Sequence, residues 1–236
     1  MAAKTKILLI GIDGLMLQRA IDSGRAKTLA RLRNDSFFSD MVVDLPTVSG
    51  PSWTTLLTGT TQEVHGVVDN DFKEHRLENA PDFLTLASRK FPELRTFAAA
   101  GWPPLIDPRD VGPVIATRAN DQENGKHSIF VRDGETNGYE TVDVDVAHQT
   151  VKKIHESGPD LSFVYFCGAD EAGHYLLYHQ IQSGGLHLYE RLMTLTWIFG
   201  LNSFGIRSAS AIYGTLFILI AFYFGKTIVI VTDYEK

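Results

Sequence analysis

Three short runs of this chain are apolar almost without interruption, and each stops at an aspartate. Lys6 to Ile12 (KILLIGI) ends at Asp13-Gly14, Ser162 to Cys167 (SFVYFC) ends at Gly168-Ala169-Asp170 with His174 four residues on, and Thr227 to Val231 (TIVIV) ends at Thr232-Asp233. A strand buried on both faces reads as a continuous apolar run, so the three predict parallel strands whose carboxyl ends open on one edge of a sheet. In an open α/β sheet that edge is where ligands bind. Helical periodicity fills the intervals. Leu17, Ile21, Leu29 and Leu32 mark an exposed helix over Leu15 to Arg33, broken near Gly24. Phe83 to Lys90 and Val142 to Glu156 read as helices, the second carrying His148 and His155 on its exposed face. Phe37 to Leu45 is expected as a strand delivering the chain to Pro46, and Leu94 to Ala100 as a strand entering the rigid turn Gly101-Trp102-Pro103-Pro104, with Trp102 a packing residue or, failing that, a stacking surface for substrate. Asp107 to Gly138 is polar and turn-rich and reads as a surface excursion, with His127 a solvated loop residue. The alternation of strand and helix predicts an α/β fold, a mostly parallel sheet flanked by helices.

The stretch from Pro46 to Asn70 (PTVSGPSWTTLLTGTTQEVHGVVDN) brings in chemistry. Proline suits the first helical position because its missing N–H would be unpaired there anyway, so Ser49, just ahead of Gly50-Pro51, sits at or just before a helix N-terminus. The free N–H groups and positive dipole end of such a helix favour an anion, phosphate above all. Taken by itself, Ser49 reads as no more than a helix cap. The aspartates and histidine at the strand ends shift the balance toward a reactive site.

Asp13, Ser49 with its Gly-Pro, the run His65 to Asn70, and Asp170-x-x-x-His174, in that order, resemble the alkaline phosphatase superfamily, and within it the nucleotide pyrophosphatase/type I phosphodiesterase branch. The resemblance covers about residues 5 to 175 and the last strand. It implies an alkaline phosphatase-like fold and a metal-dependent hydrolase that cleaves phosphodiester or pyrophosphate bonds of a small phosphate ester or nucleotide through a phosphoseryl intermediate on Ser49. A serine hydroxyl is a poor nucleophile at neutral pH and needs a metal or a base. Two divalent ions roughly 4 Å apart can activate it and assist the leaving group or the later water. Carboxylates and imidazoles suit zinc first and manganese second. The resemblance implies that one ion is held by Asp13, Ser49 and the pair at Asp233, and the other by Asp170, His174 and a more distal histidine. Asn70 matches the side chain that donates to a non-bridging phosphoryl oxygen, beside the backbone N–H that follows Ser49.

Where that family has Asp-His-Gly after the last strand, this chain reads Asp233-Tyr234-Glu235-Lys236, so the fold is expected to be incomplete at its C-terminus and to lack an imidazole and the distal histidine. The alternative function is therefore a catalytically silent relative that binds phosphate ligands or partners. A sulfatase-like or phosphomonoesterase activity is less favoured: Ser49-Gly50-Pro51-Ser52 and Leu57-Thr58-Gly59 resemble the sulfatase pattern, but Trp53 stands where it has arginine. Leu192 to Phe224 carries one charge, Arg207, and 208–225 carries none, a length that spans a bilayer, with Tyr213 and Tyr223 near its ends. It reads as a membrane anchor, as an unusually apolar covering helix, or as an aberrant segment. The expected organisation is a catalytic core over 1–175, the apolar segment over 176–225, and the last strand with Asp233 over 226–236.

Composition alters this little. At 236 residues, 44% apolar and 21% charged, the chain suits one large globular domain or two small ones. A net charge of −6 argues against nucleic acid as partner. Cys167, the single cysteine, excludes an internal disulfide and reads as buried filler. The apolar run after Lys6 is cut by Asp13 and has no cleavage site, so it is not a signal peptide and a cytoplasmic location is expected.

Overall fold

The structure, a computed structural model, describes residues 5–174 and the backbone of the strand 227–232. In chain order its elements are β1 (Ile7–Ile12), α1 (Leu17–Asp22), α2 (Lys27–Asp35), α3 (Ser49–Thr58), α4 (Gln62–His65), α5 (Phe83–Lys90), β2 (Thr96–Ala100), α6 (Ala119–Glu123), β3 (His127–Val131), α7 (Gly134–Asn137), α8 (Tyr139–Glu156), β4 (Leu161–Phe166) and β5 (Thr227–Thr232). The strands form one sheet in the order β3-β2-β4-β1-β5, every neighbouring pair parallel. The predicted α/β architecture is the one observed. The segment 176–225, including the run 208–225, lies outside the described residues, and so does Asp233. Among the described residues no helix is long and apolar enough to cross a membrane.

The apolar runs of β1 and β4 are continuous because each of these strands feeds two cores. Leu8, Ile10 and Ile12 of β1, Val164 and Phe166 of β4, and Phe97 and Ala99 of β2 face α2 and α8 through Leu29, Leu32, Val142, Val146 and Ile154. The intervening residues, Phe163 and Tyr165 of β4 with Ala98 and Ala100 of β2, face Trp53 and Leu57 of α3 and Leu84 of α5. Strand period two and helix period 3.6 thus sort the same chain into two layers around the sheet.

The docking of α3 on β1 is set by a missing side chain. Trp53 lies against Gly11, where a Cβ would stand 2.6 Å from the indole Cη2. The ring meets Tyr165 edge-on at 5.0 Å between centroids, so the helix is held by aromatic packing on two adjacent strands. Gly59, with φ 68°, ends α3 in the left-handed conformation that glycine adopts without a Cβ penalty.

The exposed helix predicted over residues 15–33 is α1 and α2, separated at Gly24 with φ 71°. Two expectations are corrected. Phe37 to Leu45 forms no strand: Phe37 and Val42 are more than 90% exposed, and no described strand lies beside the segment. An apolar alternation becomes a strand only where a neighbour takes its N–H and C=O groups. The stretch Asp107 to Gly138 is not merely a surface excursion, because it contains β3, an edge strand paired with β2.

His127, read as a solvated loop residue, is buried at the start of β3. Its Nδ1 lies 2.7 Å from Arg118 Nη2 and 2.8 Å from Thr96 Oγ1. A guanidinium only donates, so Nδ1 accepts and the ring is the neutral Nε2–H tautomer. Burial, reinforced by the Arg118 charge, pushes the imidazole down to about 4.

Two predictions follow from this packing. Gly11→Ala forces Trp53 off β1 and is expected to cost about 1–3 kcal/mol in urea unfolding; a variant as stable as the parent would overturn the docking described. For His127 the unfolded state, with a pKa near 6.5, binds more protons than the folded state down to about pH 4. Its contribution is complete above pH 6.5 and is lost as pH falls toward 4, on the order of 2 kcal/mol. His127→Gln should flatten that part of the stability–pH curve between pH 7.5 and pH 4.5.

Candidate active site at the carboxyl edge of the sheet

The ends of β1 and β4 are level, Ile12 opposite Phe166, and the Asp13 N–H extends the ladder one step to the Phe166 carbonyl at 2.9 Å. Asp13 therefore leaves the sheet beside the residue that follows β4. Gly14, with φ 61°, turns the chain there, and a Cβ on it would stand 2.5 Å from Asp170 Cα. The two loops touch backbone to backbone, which brings Asp13 and Asp170 together.

Ser49 is the first residue of α3, as the Gly-Pro pattern predicts, but its hydroxyl does not cap the helix. Oγ donates to Asp13 Oδ2 at 2.9 Å. The orphan N–H of Gly50 is instead accepted by Asn70 Oδ1 at 2.7 Å, and a Cβ on Gly50 would stand 2.5 Å from the Asp69 carbonyl oxygen. Because that N–H must meet an oxygen, it orients the amide and turns Asn70 Nδ2 away from the helix as a donor. The N–H after Ser49, expected to face an oxyanion, is bonded here to Asn70.

The loop bearing Asn70 is held by His65. The ring is buried, Nδ1 accepts from Val67 N at 3.1 Å, and Nε2 therefore donates to Thr55 Oγ1 at 3.0 Å. Burial, with the Arg76 charge, lowers its pKa and keeps it neutral. His65 is a clasp between α3 and the loop.

Asp13 is 2% exposed and accepts from Tyr165 Oη as well as from Ser49. Burial pushes its carboxyl up, against the hydrogen bonds from Tyr165 and Ser49 that pull it down. Burial and the Asp13 charge push the Tyr165 phenol well up, so it remains a donor. The Cys167 thiol is likewise pushed up by burial and by Asp13. His174 Nε2 lies 3.3 Å from Asp170 Oδ2, one helical turn apart, and its side chain is 66% exposed.

These groups open on a cleft of about 410 Å³ lined by Ser49, Asn70, Tyr165, Cys167, Asp170 and His174, with Trp102 and Tyr139 forming its aromatic wall. Trp102 is buried and packs on Phe72 and Tyr165, so the packing role holds although part of the ring borders the cleft. Of the positions expected at the site, Asp13, Ser49, Asn70, Asp170 and His174 come together, and Asp233 lies outside the described residues.

Sequence reasoning missed Asp143, Tyr165 and the place of Cys167. Asp143 is buried on α8, and its two oxygens accept from Cys167 N at 3.2 Å and Gly168 N at 2.9 Å. Its signal was a carboxylate next to Val142 on the face that also carries Val146, Thr150 and Ile154. Tyr165 and Cys167 carried none, since in a continuous apolar run they read as strand filler.

The parallel α/β sheet thus carries, at one edge, a serine at a helix N-terminus and aspartates that follow adjacent strands. Residues 7–191 match the family described as Type I phosphodiesterase / nucleotide pyrophosphatase. The chain belongs to this family. Among solved structures, phosphonoacetate hydrolase from Sinorhizobium meliloti 1021 in complex with phosphonoacetate is similar with a TM-score of 0.58 and 16% identity, over 98% of this chain and 56% of that one. The same protein in complex with phosphonoformate gives 0.59 and 15%, with the same coverage. This chain thus spans 56% of the length of those structures, and at such identity the likeness is one of fold. No curated protein sequence matches the chain.

Asp143→Ala leaves two buried N–H groups without their acceptor and is expected to cost about 2–5 kcal/mol in chemical unfolding. Asp143→Asn, which keeps one accepting oxygen, should lose less. Equal losses in the two variants would show that the carboxylate is not what secures this loop.

Proposed function

We propose that this chain is a metal-dependent hydrolase of small phosphodiesters or pyrophosphates that works through Ser49. The observation that carries the reading is the 2.9 Å hydrogen bond from Ser49 Oγ to the buried Asp13, at the mouth of a cleft that Asn70 also lines. The donor chemistry fits a divalent cation: Asp13, Cys167 and Asp170 offer ligand atoms within 4.8 Å of one another, and Ser49 Oγ is bonded to the same Asp13. Asp13, Ser49 and Asp170 would hold one ion, and Asp170 with His174 would contribute to a second, with Asp233 as a further proposed ligand. Zinc is the first choice and manganese the second. A divalent cation there lowers the pKa of a hydroxyl it touches and offsets the charge of the phosphoryl group.

The residues divide the remaining work. Asp13 Oδ2 accepts the Ser49 proton and points the oxygen lone pair at the cleft. Ser49 Oγ attacks phosphorus, the bond from phosphorus to the leaving alkoxide or phosphate breaks, and the phosphoryl group rests on the serine. Asn70 Nδ2, its orientation set by Gly50, donates to a non-bridging oxygen as charge builds there. Tyr165 donates to the same Asp13 oxygen and holds the carboxylate in place. Water then attacks phosphorus and the bond to Oγ breaks; Asp13 returns its proton to Ser49 Oγ, and the proton that the water loses passes through solvent to the released alkoxide or phosphate.

The test is turnover of bis-p-nitrophenyl phosphate with added zinc, alongside p-nitrophenyl phosphate, p-nitrophenyl sulfate and phosphonoacetate. Ser49→Ala is expected to lose at least about a thousandfold in kcat. Asn70→Ala should lose about a hundredfold to a thousandfold with little change in KM, and a chelator should abolish activity until zinc is restored. Diester turnover of equal size in wild type and Ser49→Ala would leave a silent phosphate-binding relative as the better account.

A further inference from the structure

We propose that Cys167 is a cation ligand in this cleft, its sulfur joining Asp13 and Asp170 in a three-donor centre that prefers soft divalent ions. The inference rests on the reading that the cleft holds a divalent cation. It goes further by assigning a thiolate to the ligand set.

The geometry sets the argument. One ligand atom from each of Asp13, Cys167 and Asp170 lies within 4.8 Å of the other two. Three atoms so spaced always leave a point within about 2.8 Å of all of them, roughly half an ångström or slightly more beyond zinc–sulfur and zinc–oxygen bonds of about 2.3 and 2.1 Å.

The backbone under these donors is fixed. Asp13 is tied to Phe166 by the extended β-ladder, and Asp143 holds the N–H groups of Cys167 and Gly168. Gly14 packs directly on Asp170. The three donors therefore come from two adjacent strand ends held against each other, which is the preorganisation a metal centre requires.

The sulfur also has access to an ion and the right surroundings. Cys167 and Asp170 both line the cleft. Tyr165 Oη bonds Asp13 and stands 3.6 Å from Cys167 Sγ, a long contact that leaves the sulfur weakly engaged. Its single proton serves one acceptor at a time, and Asp13 has it. As a cation binds, the S–H bond breaks, the sulfur–metal bond forms, and the proton leaves to water. The product places one soft anionic donor among hard oxygens, a set that favours zinc and cadmium over manganese.

Cadmium is the probe, because a cadmium–thiolate bond has its own ultraviolet charge-transfer band. Cys167 is the single cysteine of the chain, so any such band belongs to it. The metal-free full chain is titrated with cadmium, following the band and, in parallel, the heat of binding for cadmium and manganese. Wild type is expected to show a saturable band, absent in Cys167→Ser. That variant should bind cadmium at least about tenfold more weakly and manganese within about threefold of wild type. Asp13→Asn should move the band to about tenfold higher cadmium, tying the sulfur to the centre; a band indifferent to Asp13 would mean that the thiol binds cadmium alone, and would overturn the proposal. Heat of binding without a band in wild type removes Cys167 from the ligand set while the cation reading stands. No heat and no band with either ion overturns both. If Cys167→Ser does not fold, the wild-type band and zinc protection of the thiol against iodoacetamide decide the matter.

Discussion

A carboxylate taken out of water needs donors or a cation to hold its charge, and in this chain that requirement falls on Asp13. The group is buried at the end of β1, and it meets Ser49 from α3 and Tyr165 from β4. The indole N–H of Trp53 lies near the same carboxylate but outside hydrogen-bond geometry. Ser49 reaches Asp13 because α3 is pressed onto β1 through Trp53 and Gly11, and Tyr165 reaches it because β4 pairs with β1. Core packing and site geometry are in this sense one arrangement: the contact that fills the second core is the contact that aims the serine.

The same economy governs the edges of the site. The helix needs an acceptor for its first free N–H groups, and Asn70 supplies one to Gly50. In doing so Asn70 acquires a fixed orientation, with its amide nitrogen turned outward. Membership of the type I phosphodiesterase family agrees with the phosphoryl chemistry proposed at this edge. The cleft carries oxygen, nitrogen and sulfur donors around one small space, and the proposed activity and ligand set grow from that crowding.

Away from the reacting groups, buried polar residues serve as clasps. His65 joins α3 to the Asn70 loop, Asp143 joins α8 to the turn after β4, and Arg118 joins Thr96 of β2, His127 of β3 and Ser88 of α5. Each meets backbone or side-chain groups that would otherwise be buried unpaired. His65 and Asp143 fasten loops at the carboxyl edge, and Arg118 works at the opposite end of the sheet, where β2 and β3 begin.

Much of this was legible along the chain. Continuous apolar runs such as KILLIGI and SFVYFC can be buried only on both faces, so they dictated parallel strands, and the aspartates that end them marked the functional edge. The Ser-Gly-Pro pattern announced a helix N-terminus because proline's fixed φ and missing N–H suit the first turn of a helix. Pairing partners were not legible: Phe37 to Leu45 has strand chemistry and no neighbouring described strand, whereas His127 to Val131 looks like loop and is drawn into β3 by β2. Nor could the chain reveal that Tyr165 and Cys167 face a site, since period two alone does not say which face of a buried strand meets a reactive group. Local order follows from residue size, charge and backbone freedom. The meeting of Asp13, Ser49, Asp143 and Asp170 depends on which surfaces pack together, and that is decided only when the whole chain is folded.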